Sequence, residues 1–267
     1  MSAPLTAWVE GVGLLGPGLP GWAAAAEVLS GRAPYEARTT VIPPLECLPP
    51  AERRRTGKVV RLALGVGLEA VRNAGADAAT LHAVFSSSGG DGENCHEICQ
   101  VLAGAERQIS PTRFHNSVHN AASGYWGIAT GATAASNALC AHDASFAAGL
   151  LEALVQIRTD ETAVLLIAYD ADYPEPIRAR RPIPDAFGVA LLLTPTATKG
   201  SLARISAELS RAPAVLLPDT RLEALRAQVP AARSLPFLQM LARGEPGMVV
   251  IDYLDQQRLQ LVVSPWH

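Results

Sequence analysis

Several groups of residues in this chain have the types and spacing that chemistry uses. Cys95-His96-x-x-Cys99 has the look of half a metal site. A structural zinc takes about four ligands, and no second pair follows at a usable spacing. The expectation is therefore no metal, with two free thiols buried on one face of a helix. Gly11-Val12-Gly13-Leu14-Leu15-Gly16 matches GxGxxG in letters. A dinucleotide site needs a helix directly after those glycines and an acid ending a second strand. Pro17, Gly18 and Pro20 interrupt that helix, so a tight turn after a first strand is expected, and no cofactor. His115 and His119 lie four apart, as metal ligands or a base pair on one helical face would. Partner contact and a satisfied structural role are the two readings kept open for them. Cys140 would be a nucleophile only with a histidine placed to activate it. Ser86-Ser87-Ser88 lacks the G-x-S-x-G context of a serine nucleophile and reads as a turn or a tunnel-side loop.

The composition bounds what these residues can serve. The chain has 267 residues, 49% hydrophobic and 18% charged, with a net charge of −3. That suffices for a sizeable core in one large domain, or one domain with a small appendage. A nucleic-acid binder would need a clustered basic face. The one basic run, Arg53-Arg54-Arg55 with Lys58 and Arg61, is short; it reads as a solvated helix start or, more weakly, as a docking face for an acidic carrier. No stretch approaches a membrane span, and the start of the chain has no basic, then apolar, leader, so a cytoplasmic protein without nucleic-acid or membrane partners is expected. The cysteines, Cys47, Cys95, Cys99 and Cys140, form no disulfide framework.

The elements that must position these residues alternate. Strands are expected over 5–16, 81–86, 136–139, 163–169, 187–194, 202–209, 247–252 and 258–263. Helices are expected over 21–31, 51–74, 93–105, 144–157, 219–228 and 234–243. Val59, Leu62, Ala63, Val66 and Ala70 keep the spacing of one buried helical face. Strands alternating with helices argue an α/β fold with a largely parallel sheet between helices, and the tail adds a small α+β piece.

Four segments, in order, resemble the first half of a β-ketoacyl synthase of the thiolase superfamily. They are Trp8 to Gly16; ERRRTGKVVRLALGVGLEAV at 52–71; ISPTRFHNSVHNAASGYWGIATG at 109–131; and FGVALLLT at 187–194. The resemblance covers residues 1–200 as an N-terminal ketosynthase-like domain, with 201–267 as a reduced C-terminal extension on the same body. It is closest in kind to the short, N-terminal-domain-only proteins of aryl polyene type II polyketide systems, through SSSGGDGENCHEIC, SPTRFHNSVHNAASGYW and DASFAAGLLEAL.

Setting Asn120 on the family's asparagine places Ala141-His142-Asp143-Ala144-Ser145 on its nucleophile elbow, with Asp143 where the family has cysteine. An aspartate cannot hold the reactive thioester that condensation uses; as an N-cap or first-turn acid it has an ordinary structural use. The family's two histidines, in HGTxT-like and GH-like contexts, have no counterpart among His82, His96, His115, His119, His142 and His267. The resemblance thus implies a chain-length-factor subunit, not catalytic on its own, in a heterodimer with an active ketosynthase and in transient contact with an acyl carrier protein. It places Phe114, His115, Asn116, Ser117, Val118, His119, Asn120, Tyr125, Trp126, His142, Asp143 and Phe146 at the partner interface or acyl tunnel, and the Arg53–Arg61 run at a carrier docking face. Two other readings stand beside it: an independent acyltransferase or thioesterase working through Cys140 or Asp143, and a non-catalytic carrier-docking subunit.

Overall fold

The computed structural model describes residues 4–266. The chain runs β1 (Leu5–Leu15), α1 (Trp22–Leu29), α2 (Pro50–Arg53), α3 (Lys58–Ala74), β2 (His82–Ser86), α4 (Gly92–Ala103), α5 (Pro111–His115), α6 (Ala121–Thr130), β3 (Ser136–Leu139) and α7 (Ser145–Asp160). It continues β4 (Val164–Asp170), α8 (Ile177–Arg180), β5 (Phe187–Thr194), β6 (Ala203–Ser210), α9 (Thr220–Gln228), α10 (Leu235–Arg243), β7 (Gly247–Leu254) and β8 (Gln257–Pro265). Eight strands form one sheet in the order β3-β2-β4-β5-β1-β6-β8-β7.

The α/β class and the thiolase-like layering stand, but the sheet is mixed rather than largely parallel. β2 pairs in parallel with β3 and β4; the pairs β4–β5, β1–β5, β1–β6, β6–β8 and β7–β8 are antiparallel. Helical crossovers make β2, β3 and β4 point the same way, as expected. β5 then returns between β4 and β1 without a crossover helix long enough to turn it round, and β6, β7 and β8 continue the sheet past β1.

Two apolar clusters cover the two faces. One buries α1, α7, α10 and the 230–234 turn against β1, β4, β5 and the C-terminal strands; the other buries α3 and α6 against β2, β4 and β5. β4 is buried along its whole length, which explains why its sequence is an uninterrupted apolar run. The expected 51–74 helix is two helices. Thr56 closes the first turn by donating to the Arg53 carbonyl at 2.9 Å, and α3 restarts after the extended Gly57.

The glycines of the GxGxxG run lie within β1 rather than in a turn, apart from Gly16. They let α3 lie directly across the strand: a Cβ on Gly13 would stand 2.0 Å from the Val66 carbonyl oxygen, and one on Gly11 2.3 Å from that of Ala70. A backbone atom cannot swing aside as a side chain can. Gly13→Ala is therefore expected to cost about 1–3 kcal/mol, read as a lower denaturation midpoint with an unchanged slope.

β3 is the sheet's end strand. Ala83 N–H donates to the Ala135 carbonyl at 3.1 Å and Ser87 N–H to the Leu139 carbonyl at 3.2 Å. Odd-numbered residues of β3 thus face β2, and Ser136 and Ala138 turn their backbone groups to the open edge.

Candidate functional site

The elbow forms where β3 ends and α7 begins. A short helical turn, His142–Ala144, joins them, and His142 is held at φ 50°, in the left-handed region that few side chains adopt. Ser145 fixes the turn, its hydroxyl donating to the His142 carbonyl at 2.7 Å and accepting from Ala141 N–H at 3.1 Å. Asp143 projects from it as a half-exposed side chain.

Of the two structural uses expected of it, Asp143 has the second: it makes no capping hydrogen bond but lies in the first turn of the 142–144 helical turn. Its carboxylate lies between two guanidinium groups. Arg181 Nη2 donates to Oδ1 at 2.7 Å and Arg233 Nη2 donates to Oδ2 at 3.1 Å. Burial pushes the carboxyl up, but the Arg181 bond and the charges of Arg233 and Arg181 outweigh it, and Asp143 is held below the ordinary aspartate value. Arg181 Nη1 reaches His142 Nε2 at 2.7 Å; arginine can only donate, so Nε2 accepts and the imidazole hydrogen sits on Nδ1. A cavity of about 800 Å³ opens over this group, walled by Arg211, Arg233 and the β7–β8 turn. A carboxylate engaged at both oxygens is a poor nucleophile and a poor base.

The other wall of the elbow is set by a buried acid that the sequence reading did not single out. Asp170, at the end of β4, is 3% exposed. Its Oδ1 accepts from Ser88 N–H at 2.8 Å and from Ser88 Oγ at 2.6 Å, and its Oδ2 accepts from Ala231 N–H at 2.9 Å. Ser88 in turn accepts the Cys140 thiol at its carbonyl, 3.2 Å away, and Ala231 belongs to the turn that carries Arg233. Burial pushes the Asp170 carboxyl up to about 6, against the hydrogen bonds from Ser88 and Ala231.

The residues expected at an interface or tunnel separate into two groups. Tyr125, Trp126 and Phe146 are core side chains, enclosed because α6 and α7 pack on opposite faces of the sheet; Tyr125 donates to buried Asn116 at 3.1 Å. Phe114 and Val118 are 68% and 53% exposed. His115 is exposed, its ring perpendicular to that of Tyr125 with centroids 6.3 Å apart. Ser117 donates to the Phe114 carbonyl. His119 Nε2 lies 3.2 Å from the Ser87 carbonyl. With exposed Asn120, His119 borders a cavity of about 650 Å³ along the open edge of β3. Cys95 and Cys99 are exposed, not buried, because α4 buries only Asn94. Among the described residues no cluster of histidine, cysteine and carboxylates is placed to hold a metal, and no helix is long and apolar enough to cross a membrane.

The basic run does not form one face. Arg53 donates to the Leu48 carbonyl, Arg55 pairs with Glu52 at 3.1 Å, and Lys58 pairs with Asp172 and, at 3.7 Å, Asp185. Arg54, Arg55 and Lys58 share a cleft of about 490 Å³ with Arg113, Asp91 and Glu93, while Arg61 stands outside it on α3.

Comparison with known proteins adds the family. No curated protein matches the chain. Among solved structures, a chain of the complex of the ketosynthase ApeO with its chain length factor ApeC, from Xenorhabdus doucetiae, is 26% identical, with a TM-score of 0.74 over 97% of this chain and 99% of that one. A chain of the ishigamide ketosynthase/chain length factor is 15% identical with a TM-score of 0.74, both chains covered in full. A chain of AntDE:AntF, a type II polyketide synthase acyl-carrier protein in complex with its ketosynthase, is 10% identical with a TM-score of 0.76, again over the whole of both chains. At those lower identities the two share the fold. The family model for the β-ketoacyl synthase N-terminal domain matches residues 22–251, across the Asp143 elbow, both arginines that hold it and most of the sheet, and the chain belongs to that family.

Proposed function

We propose that this chain is a chain-length-factor subunit, which pairs with an active ketosynthase in type II polyketide or aryl polyene assembly and shapes that partner's acyl tunnel without catalysing condensation itself. The observation that carries the reading is Asp143. The strand, turn and helix that align with the nucleophile elbow of a ketosynthase carry at their tip a carboxylate engaged by Arg181 and Arg233. The neighbours that are ketosynthase–chain length factor complexes support the same assignment. The partner supplies the cysteine and both histidines. The open edge of β3, bordered by His119 and Asn120, is the surface offered to it, and the acyl carrier protein docks transiently, with Arg54 and Arg55 its contact on this chain.

Co-expression with the ketosynthase encoded nearest to this gene tests the reading. A one-to-one complex is expected, and a partner that is insoluble or makes products of altered length without this chain. Normal products from the partner alone would overturn it.

The independent-enzyme reading has less support. Asp143 is engaged at both oxygens, and among the described residues no histidine hydrogen-bonds Cys140. Thioester turnover by the isolated chain, lost in Cys140→Ala or Asp143→Ala, would reinstate it. The scaffold reading requires carrier binding with no ketosynthase present, abolished by charge reversal at Arg54 and Arg55.

A further inference from the structure

Arg181 has a hydrogen-bond partner besides Asp143, and the backbone turn that carries Arg233 is pinned independently of it. Arg181 comes from the segment linking β4 to β5, and its Nη1 is held on His142 Nε2 at 2.7 Å. Arg233 comes from the 230–234 turn. That turn is pinned by Ala231 N–H on Asp170 at 2.9 Å and by Ser234 Oγ on the Ala231 carbonyl at 2.7 Å. Both arginine side chains are largely covered, 24% and 20% exposed. The fold thus brings the two guanidinium groups to either side of one carboxylate, each meeting one of its oxygens.

The space above is open. The cavity over Asp143, about 800 Å³, is bounded by the β7–β8 turn and by Arg211, which has no ion pair among the described residues. Asp255 on the same wall is the opposing charge. The balance of Arg181, Arg211 and Arg233 against Asp143 and Asp255 is positive. Without the Asp143 carboxylate it would carry one more positive charge, over two guanidinium groups partly removed from water, where an unpaired charge is costly.

We infer that the elbow is a carboxylate-binding site occupied by the chain's own Asp143, so that when this side chain is shortened a small free carboxylate takes its place between Arg181 and Arg233. The ligand class is a monocarboxylate of acetate size, which replaces the CH₂–COO⁻ that is lost. In the native chain the site is closed to such anions because Asp143, tethered next to it, has a far higher effective concentration than any free competitor. This inference does not depend on the partner assignment.

The test is thermal unfolding of full-length Asp143→Ala in sodium acetate and in sodium chloride at matched ionic strength. Acetate is expected to raise the midpoint of the variant by about 2–4 °C more than chloride does, with no such difference in the native chain and none in Asp143→Ala/Arg233→Met. A variant that folds only with acetate present is the same result in stronger form. Equal responses of the variant to the two salts, or the same acetate effect in the native chain, would overturn the inference. Asp143→Cys gives a second measurement. Its thiolate attacks the methylene carbon of iodoacetamide, forming a C–S bond as iodide leaves, and the adduct at residue 143 is read by peptide mass. The pH inflection of that reaction is expected at least about one unit below the ordinary cysteine value of about 8.5. An inflection at or above the ordinary value contradicts an anion-holding site.

Discussion

Ala138→Pro is expected to weaken pairing with a ketosynthase by about one to two orders of magnitude while leaving the chain folded. Ala138 is on β3, the end strand, with its backbone N–H on the open side of the ladder; the bonds to β2 are made by its odd-numbered neighbours. Proline lacks that N–H, and its ring fills the space a pairing strand would enter. On an edge strand, with the missing donor pointing outward, proline is tolerated. The residue before it, Asn137, is already extended, as a residue preceding proline must be. The chain's own stability should change by no more than about 1 kcal/mol, since no internal hydrogen bond is lost. Affinity for the partner should fall on the order of 10–100-fold, the equivalent of about 1.4–2.8 kcal/mol. Calorimetric titration of the two subunits measures the affinity and urea unfolding of the variant alone measures its stability, and Ala138→Val, which keeps the N–H, is the control. Undiminished binding by the proline variant would move the interface away from the strand edge. The exposed side chains of Phe114, on α5, and Val118, just after it, would then be the next surface to alter.

Much of this architecture was legible in the sequence because the physics behind it is local. β3 and β5 have the expected bounds, and the C-terminal helices and strands lie within two residues of theirs, since apolar periodicity and the breaks between runs report burial directly. What alternation does not encode is strand order. Nothing in FGVALLLT says that it returns antiparallel between β4 and β1, and nothing in the three C-terminal strands says that they continue the same sheet antiparallel past β1; together these placements turn a parallel expectation into a mixed sheet. The aromatic residues show the same limit. For Tyr125 and Trp126 the resemblance implies a partner interface or tunnel. They are core because α6 crosses α3, where Gly67 leaves room for the Trp126 ring, a contact between segments about sixty residues apart.

The site divides in the same way. Asp143 was found by counting from Asn120, with the family pattern as the ruler. Its arginines were not, since Arg181 is 38 residues away and Arg233 is 90, each in a stretch that reads as an ordinary charged loop or turn. Asp170 did leave a signal: a carboxylate ending an otherwise apolar, fully buried strand stands at the carboxyl edge of the sheet, where crevices form. Such an acid has no solvent to face and so requires partners. Those partners turn out to be the two segments that frame the elbow.

Asp170→Ala is accordingly expected to be among the most destabilising single substitutions in the chain. It strands Ser88 N–H, Ser88 Oγ–H and Ala231 N–H in a buried site, at a cost of roughly 3–5 kcal/mol. It also frees the turn that carries Arg233, so the Asp143 clamp should loosen with it. Asp170→Asn separates charge from hydrogen bonding. Whichever way the amide is turned, its NH₂ meets a backbone N–H, that of Ser88 or that of Ala231, and about 1–3 kcal/mol should be lost. The native acid has no such conflict when protonated. An Oδ1–H can donate to Ser88 Oγ while the remaining lone pairs accept both backbone groups. This agrees with the upward displacement of its carboxyl to about 6. The sign of the pH dependence follows. A carboxyl whose folded value lies above its unfolded value, about 3.9, binds its proton more tightly in the folded state. Its stabilising contribution is complete below the unfolded value and is lost as pH rises through about 6. Asp143, displaced the opposite way, loses its contribution only as pH falls below the ordinary aspartate value, outside that window. The stability advantage of the native chain over Asp170→Asn, measured by urea unfolding, should therefore shrink by about 2 kcal/mol between pH 4 and pH 7. An advantage that stays constant or grows over that range would mean that Asp170 enters the fold as an ordinary ionised carboxylate, and that the hydrogen bonds from Ser88 and Ala231 outweigh the cost of burying its charge.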